Sequence, residues 1–206
     1  MSDRDEVDEE EEEIKVILVG EMGTGKTSLI NTAIGLQFQE KLASTTTNSI
    51  MNKIVKINGK TYSINLWDTI GQEKYRSLTK IFMKGAKIVI FVYDITRKET
   101  FEQLDFWFEN TKEVLGNKPI LGIVGNKSDL YIKEDVKEEV AEEYAKKKGV
   151  PFRLTSAKTP KNFSDFLEEL VKKYIEKMEN INSTIVDGLK LDEQNESKKA
   201  KKKKCC

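Results

Sequence analysis

The chain has 206 residues, of which 35 are Lys or Arg and 35 are Asp or Glu, so its formal net charge is zero. This balance argues against general binding of nucleic acid, and we find no apolar run near the ~18 residues that a transmembrane helix needs. We see no signal peptide, and the two cysteines, at positions 205 and 206, leave none for a disulfide in the core, which fits a reducing cytosol.

Six strand-like and five helix-like segments alternate along the chain. The expected strands are 14–19, 49–57, 61–67, 86–93, 120–125 and 152–155. Two of the expected helices end near 34 and near 83, and the other three cover 100–115, 134–148 and 162–178. This alternation predicts an α/β fold with a six-stranded, mostly parallel sheet and five helices. The Asn58-Gly59 turn predicts a hairpin, which adds one antiparallel edge strand.

The two ends of the chain differ in composition from its centre. Residues 1–13, the acidic head, hold nine acids against one Arg, and residues 179–206, the tail, become polar and then lysine-rich. Such segments bury too little apolar surface to offset the entropy of ordering, so we expect both to be disordered. The expected folded domain is 14–178.

A glycine-rich loop, Gly20-Glu-Met-Gly-Thr-Gly-Lys-Thr27, joins the first strand to the first helix. This context predicts a phosphate-binding P-loop rather than a chance glycine-rich turn. Glycines let the backbone approach phosphate oxygens, and the helix N-terminus adds positive partial charge. We expect Lys26 to reach the β and γ phosphates and the Thr27 hydroxyl to bind Mg²⁺.

A second motif, Asp68-Thr-Ile-Gly-Gln-Glu73, follows the third strand. An Asp opposite a P-loop can hold Mg²⁺ through water. The Gly71 N–H can bind a γ-phosphate, and Gln72 can orient an attacking water. The alternative is a polar turn after an edge strand, which the preceding P-loop disfavours.

Two further loops predict a guanine site. In Asn126-Lys-Ser-Asp129, the Asp129 carboxylate can accept hydrogen bonds from guanine N1–H and its 2-amino group. Adenine lacks this donor pair, which supports ~10⁴–10⁵-fold discrimination. Lys127 can cover the base and Asn126 can tie loops together. In Ser156-Ala-Lys158, the Ala157 N–H can reach guanine O6. The alternative is a pair of ordinary surface loops.

Together these motifs resemble the Ras superfamily of small GTPases and, within it, the Rab family. The resemblance covers about residues 15–178, and its Rab-type stretches are 64–69, 72–79, 84–86 and 92–96. It implies the P-loop NTPase fold of small G proteins and a cycle between GDP-bound and GTP-bound states. It also implies hydrolysis of GTP to GDP and phosphate, with Gln72, Lys26 and Gly71 as catalytic residues.

The resemblance assigns roles to further residues. Phe38 would stack on the guanine, and Thr45 would bind Mg²⁺ and the γ-phosphate. Ile50, Trp67 and Phe82 would form an exposed triad that effectors read, unless Trp67 and Phe82 are simply core. The expected Mg²⁺ ligands are Thr27, Thr45 and Asp68. The expected nucleotide contacts are Glu21, Met22, Gly23, Thr24, Gly25, Lys26, Thr27, Ser28, Phe38, Thr45, Gly71, Asn126, Lys127, Asp129, Ser156, Ala157 and Lys158.

The last two residues, Cys205 and Cys206, resemble the Rab signal for two geranylgeranyl groups. Two lipid chains anchor a protein stably where one does not, and the six lysines before them favour anionic lipid. The alternative is a solvated tail with free thiols. The resemblance implies a monomer on the cytosolic face of an intracellular membrane, with a cytosolic pool. The implied partners are an exchange factor, a GTPase-activating protein, a GDP-dissociation inhibitor or escort, a prenyl transferase and effectors.

The chain departs from the family pattern in four places. Met22 stands where Ras has Gly and Rabs usually have Ser, and Ile70 replaces the common Ala. Thr46-Thr47 replace Ile-Gly, and Leu154 replaces Glu. Because Met22 and Ile70 would crowd the γ-phosphate, we expect slow hydrolysis. Two alternatives are a GTP-dependent membrane-recruitment module with little or no hydrolysis and a P-loop kinase, which the guanine motif disfavours.

Overall fold

The computed structural model of the chain describes residues 12–40, 45, 49–69, 76–159 and 161–202. The strands are β1 (Glu12–Val19), β2 (Ser49–Ile57), β3 (Lys60–Asp68), β4 (Ile88–Asp94), β5 (Ile120–Asn126) and β6 (Phe152–Leu154). The helices are α1 (Lys26–Ala33), α2 (Arg76–Met83), α3 (Lys98–Glu102), α4 (Leu104–Leu115), α5 (Glu138–Lys148) and α6 (Lys161–Lys202), and a 3-10 helix covers Ser128–Lys133.

The six strands form one sheet in the order β2-β3-β1-β4-β5-β6. Only β2 and β3 are antiparallel, and the other pairs are parallel. The predicted six-stranded sheet with one antiparallel edge strand is therefore confirmed. Every residue of β4 is buried, as expected for a central strand covered by helices on both faces.

Two apolar layers enclose the sheet. Side chains of α1 and α6 form one buried cluster with β1, β3 and β4, and side chains of α4 and α5 form another on the opposite face. Gly122 in β5 shows how closely α6 packs. A Cβ there would lie 2.9 Å from both Leu170 and Phe166, so a larger residue would push the helix away. This packing fixes the carboxyl ends of the strands, where the loops meet.

The described residues contain six α-helices rather than the five expected, because the helix predicted over 100–115 is split at Gln103. The φ of −77° and ψ of −4° at Gln103 interrupt the regular helix for one residue. Phe101, Leu104 and Phe108 still contribute to one apolar layer. Apolar periodicity therefore could not reveal the break.

The helix expected from 134 begins later, at Glu138. The backbone N–H groups of Asp135 and Val136 donate to the Ile95 carbonyl at 2.8 and 3.1 Å, so this segment is bonded to the end of β4 instead. A tertiary backbone contact thus replaces the first turn of the predicted helix.

Helix α6 was expected to end at 178 but continues to Lys202. Met178 packs against the core, whereas Ile181 is exposed, so apolar packing fades where the helix was expected to end. Beyond it the sequence is rich in Lys, Glu and other helix-forming residues, without a Pro, which is compatible with a continuing helix. The division into a folded domain and tails, which rests on composition, stays a prediction. No helix in the part of the chain that the structure describes is long and apolar enough to cross a membrane.

Candidate functional site

A cavity of about 330 Å³ lies at the carboxyl ends of the parallel strands. Ligands bind at this edge in open α/β sheets. The loops after β1, β3, β5 and β6 all contribute to its wall. The lining residues are Met22, Gly23, Gly25, Lys26, Thr27, Ser28, Phe38, Gln39, Glu40, Thr45, Thr69, Asn126, Lys127, Asp129, Leu130, Ser156, Ala157 and Lys158.

The glycine-rich loop is held between two neighbouring strands. A Cβ at Gly20, where φ is +149°, would lie 2.1 Å from the Val92 carbonyl oxygen. A Cβ at Gly25, where φ is +91°, would lie 2.3 Å from the Asn126 side-chain nitrogen. Both positions require glycine, because a side chain would displace the loop from the strands that shape it.

Lys26 lies beneath this loop, with 5% of its surface exposed. Its Nζ donates hydrogen bonds to the carbonyl oxygens of Gly20 and Glu21 at 2.8 and 3.0 Å. Burial lowers the pKa of Lys26 to about 8, although the Asp68 and Glu21 carboxylates act in the opposite direction. An incoming phosphate would stabilise the charged form. The ammonium group is therefore placed to bind an anion that replaces its contacts with the loop.

Three oxygen-bearing side chains meet beside Lys26. The Thr27 hydroxyl donates to Asp68 Oδ2 at 2.6 Å and lies 2.7 Å from the Thr45 hydroxyl. Burial raises the pKa of Asp68, and its other oxygen, Oδ1, is buried and has no hydrogen-bond partner among the described residues. Hydroxyl and carboxylate oxygens are the hard ligands that Mg²⁺ prefers. These residues fit a Mg²⁺ site, and the unpartnered Oδ1 is the observation that favours it.

At the other end of the cavity lies the Asp129 carboxylate. Its Oδ1 accepts a hydrogen bond from Ser156 Oγ at 2.6 Å, and its Oδ2 lies 3.2 Å from Lys158 Nζ. Partial burial opposes ionisation, but these two partners hold the pKa of Asp129 below its usual range. Asp129 is thus an oriented, ionised acceptor. Phe38 lies nearby, with Lys158 Nζ 5.6 Å from the centre of its ring.

Asn126 joins the two ends of the cavity. Its side-chain nitrogen donates to the Thr24 carbonyl oxygen at 2.8 Å, across 102 positions of sequence. The acceptor lies in the glycine-rich loop, whereas Asn126 ends β5 and precedes the loop that carries Asp129. One hydrogen bond therefore fixes the spacing between the phosphate end and the base end.

Comparison with known proteins agrees with this geometry. A family model described as the Ras family matches residues 15–176. The chain is also similar to the Ras-related protein RABA1b of Arabidopsis thaliana, with 33% identity over 200 residues that cover 93% of each chain. The chain belongs to the Ras family and is of the Rab type. Proteins of this family are GTPases that bind GTP and GDP together with Mg²⁺.

Two charged residues that our sequence analysis missed brace this Ras-family site. Asp94, at the end of β4, is buried, and its Oδ2 lies 2.6 Å from Lys127 Nζ and 3.2 Å from Arg97 Nε. Arg97 Nη2 donates to the Met22 carbonyl oxygen at 2.8 Å. Burial opposes ionisation of Asp94, but Lys127 and Thr96 hold its pKa below the usual value. We expected Lys127 only to cover the base. Asp94 could have been identified from its position at the end of a buried strand, which is the same feature that identified Asp68.

Arg97→Ala is expected to speed the release of bound GDP by about tenfold. The change removes a charge-assisted hydrogen bond to the P-loop, worth about 1.5 kcal/mol. Stopped-flow release of a fluorescent GDP measures the rate. Lys98→Ala, which removes the exposed neighbouring charge that pairs with Glu102, is the control and should leave release unchanged. Equal rates for wild type and Arg97→Ala would show that the contact does not brace the loop.

The predicted effector triad is contiguous in the structure. Ile50 faces Trp67 across the β2–β3 pair, and the ring centres of Trp67 and Phe82 are 5.9 Å apart. Ile50 is 55% exposed, whereas the two aromatic side chains are partly buried and pack against the core. The three residues thus form one surface that is partly continuous with the core. Effector binding to it stays a prediction.

Several predicted site residues lie outside the described residues. They are Thr46, Thr47, Ile70, Gly71, Gln72, Cys205 and Cys206.

Of the four departures from the family pattern, Met22 and Leu154 are described. Leu154 packs against the apolar layer that includes Tyr93, so an apolar contact replaces the acceptor that a Glu would supply.

Proposed function

We propose that the chain is a Rab-type switch in vesicle trafficking, which binds GDP and GTP with Mg²⁺ and hydrolyses GTP. The observation that carries this proposal is a single cavity with a buried cation, Lys26, at one end and an oriented carboxylate, Asp129, at the other. This arrangement matches a ligand that has a polyphosphate at one end and paired N–H donors at the other. Guanine nucleotides have both features.

The chain's own residues act mainly by positioning. Lys26 would hold the β and γ phosphates, and the P-loop N–H groups would surround them. Mg²⁺ bound at Thr27, Thr45 and Asp68 would neutralise charge on the phosphates. We assign contact with the γ-phosphate to Gly71 and orientation of the attacking water to Gln72. Loss of the γ-phosphate would release Thr45 and Gly71, which is the basis of switching.

Met22 is the described residue that argues for slow hydrolysis. Its side chain is 47% exposed and lines the cavity, and its carbonyl oxygen is held by Arg97. A thioether at the phosphate end would occupy space that the attacking water or a partner's arginine needs. This crowding supports the second candidate function, a GTP-dependent membrane-recruitment module with little or no hydrolysis.

Met22→Ser and Ile70→Ala are each expected to raise the single-turnover rate of GTP hydrolysis by about fivefold. Relief of about 1 kcal/mol of crowding in the transition state corresponds to that factor. Radiolabelled phosphate release measures the rate, and Ile132→Ser, at a highly exposed apolar position, is the control. Unchanged rates would exclude crowding as the limitation.

Failure of the wild-type chain to bind GTP in preference to ATP would contradict the proposed function itself.

We also propose that Cys205 and Cys206 carry prenyl groups that hold the switch on a membrane. The paired cysteines and the preceding lysines support this proposal. Replacing both cysteines by Ser should move a tagged protein in its own cell from the membrane fraction to the cytosol. An unchanged distribution would show that anchoring does not depend on them.

A further inference from the structure

A basic groove lies at the amino ends of β4 and β5, the edge of the sheet opposite the nucleotide cavity. Its volume is about 790 Å³, and the turns before the two strands and the outer part of α6 form its walls. Four lysines of the described residues line it: Lys84, Lys87, Lys118 and Lys177. Its apolar floor includes Val114, Leu115, Tyr174 and Met178. The groove therefore suits an anionic partner.

The groove lysines lie outside the ion pairs that join described residues. Lys84, Lys87 and Lys118 are exposed, and none of them forms an ion pair with a carboxylate of a described residue. Lys177 Nζ donates to the Lys118 carbonyl oxygen at 2.6 Å, which joins the α6 wall to the α4–β5 turn. Four lysines that line one groove create a local positive potential, which favours binding of an anionic segment.

The chain enters the domain at the rim of the groove. Strand β1 pairs with β4 so that Val16 faces Ile88, and the Lys87 N–H donates to the Lys15 carbonyl oxygen at 2.9 Å. Lys15 Nζ donates to the Lys84 carbonyl oxygen at 2.9 Å, so the beginning of β1 contacts two residues that line the groove. Burial raises the pKa of Tyr174 and the Glu12 carboxylate raises it further, so Glu12 lies within electrostatic reach of the groove floor.

The segment that precedes Glu12 has the opposite charge. Residues 3–11 contain seven acids, with Arg4 as the one basic residue. Nine residues span at most about 30 Å when extended, enough to reach a groove whose lysines lie near the beginning of β1. Short tethers give effective concentrations in the millimolar range, so even a weak contact is populated.

We propose that residues 3–11 of the acidic head bind in the basic groove. The acidic head then neutralises Lys84, Lys87, Lys118 and Lys177 on the same chain, at the face from which α6 leads toward the tail.

Carbodiimide cross-linking of the full-length chain tests this contact, because the reagent joins only carboxylates and amines that touch. We expect peptides that link head carboxylates to the groove lysines, with yields that fall at least fivefold between 0.05 and 0.5 M salt as screening increases. Links only to the lysines at 198–204 would overturn the proposal in favour of head–tail pairing. Links only between chains in a mixture of ¹⁴N- and ¹⁵N-labelled protein would assign the groove to a second copy.

A second measurement avoids changes to the groove itself. In the variant with Glu9, Glu10 and Glu11 all replaced by Gln, amine labelling of Lys84 and Lys118 should be at least twofold faster than in the wild type. Lys133 and Lys146, which are exposed elsewhere on the same chain, are internal controls whose labelling should not change. Equal labelling of Lys84 and Lys118 in both proteins would overturn the proposal.

Discussion

Asp129→Asn is expected to weaken GDP binding by about 10⁴-fold. The carboxylate is held as an ionised acceptor by Ser156 and Lys158, so it can accept two hydrogen bonds without reorganisation. An amide offers one acceptor and turns an N–H₂ group toward the 2-amino group of guanine, which leaves donors facing each other. Loss of a matched polar pair in such a site reduces affinity by ~10⁴–10⁵-fold.

The same substitution is expected to improve binding of xanthosine diphosphate, which has a carbonyl where guanine has the 2-amino group. Competition against a fluorescent GDP measures both affinities. Asp165→Asn, at an exposed position on α6, is the matched control and should bind GDP like the wild type. If Asp129→Asn kept its preference for GDP, the carboxylate would not be the residue that reads the base.

Lys26→Met is expected to reduce affinity for GDP and GTP by about 10²–10⁴-fold while changing the stability of the nucleotide-free chain little. Methionine keeps the stem but removes two charge-assisted hydrogen bonds to phosphate, each worth about 1.5–3 kcal/mol. Without nucleotide the buried ammonium gains bonds to Gly20 and Glu21 but loses hydration, as its lowered pKa shows. In the nucleotide-free protein, the gain of these hydrogen bonds and the loss of hydration have opposite effects on stability.

Titration calorimetry and thermal unfolding separate the two quantities for Lys26→Met. Lys112→Met, on an exposed position of α4, is the control for loss of one positive charge. A large fall in the unfolding temperature of nucleotide-free Lys26→Met would mean that the lysine is mainly a structural support of the loop. Unchanged affinity would contradict its assignment to the phosphates.

The site residues that could be predicted from the sequence share one property. Lys26, Asp68 and Asp129 each follow an apolar strand, and parallel strands bring their carboxyl ends to one edge. Asp94 follows β4 in the same way, but its stretch was used only to recognise the family. The Arg97 contact with Met22 could not be predicted, because it joins positions 75 residues apart through a loop without periodicity.

The sheet was predictable because β1, β4 and β5 are short apolar runs and Asn58-Gly59 defines the hairpin. The boundaries of the helices were less predictable from the sequence. The start of α5 depends on backbone hydrogen bonds from Asp135 and Val136 to Ile95, and no local signal indicates a partner 40 residues away. Boundaries set by tertiary contacts of this kind are not encoded in periodicity.

Because the Asn126 side chain donates to the Thr24 carbonyl oxygen, we expect displacement of either end of the cavity to disturb the other end. A regulator that pulls the P-loop aside strains this bond and, through it, the loop that orients Asp129. A regulator that displaces the base loop instead loosens the floor beneath the phosphates. A protein that catalyses nucleotide exchange would therefore need to bind only one end of this pocket. It could promote nucleotide release from a surface that is remote from the base.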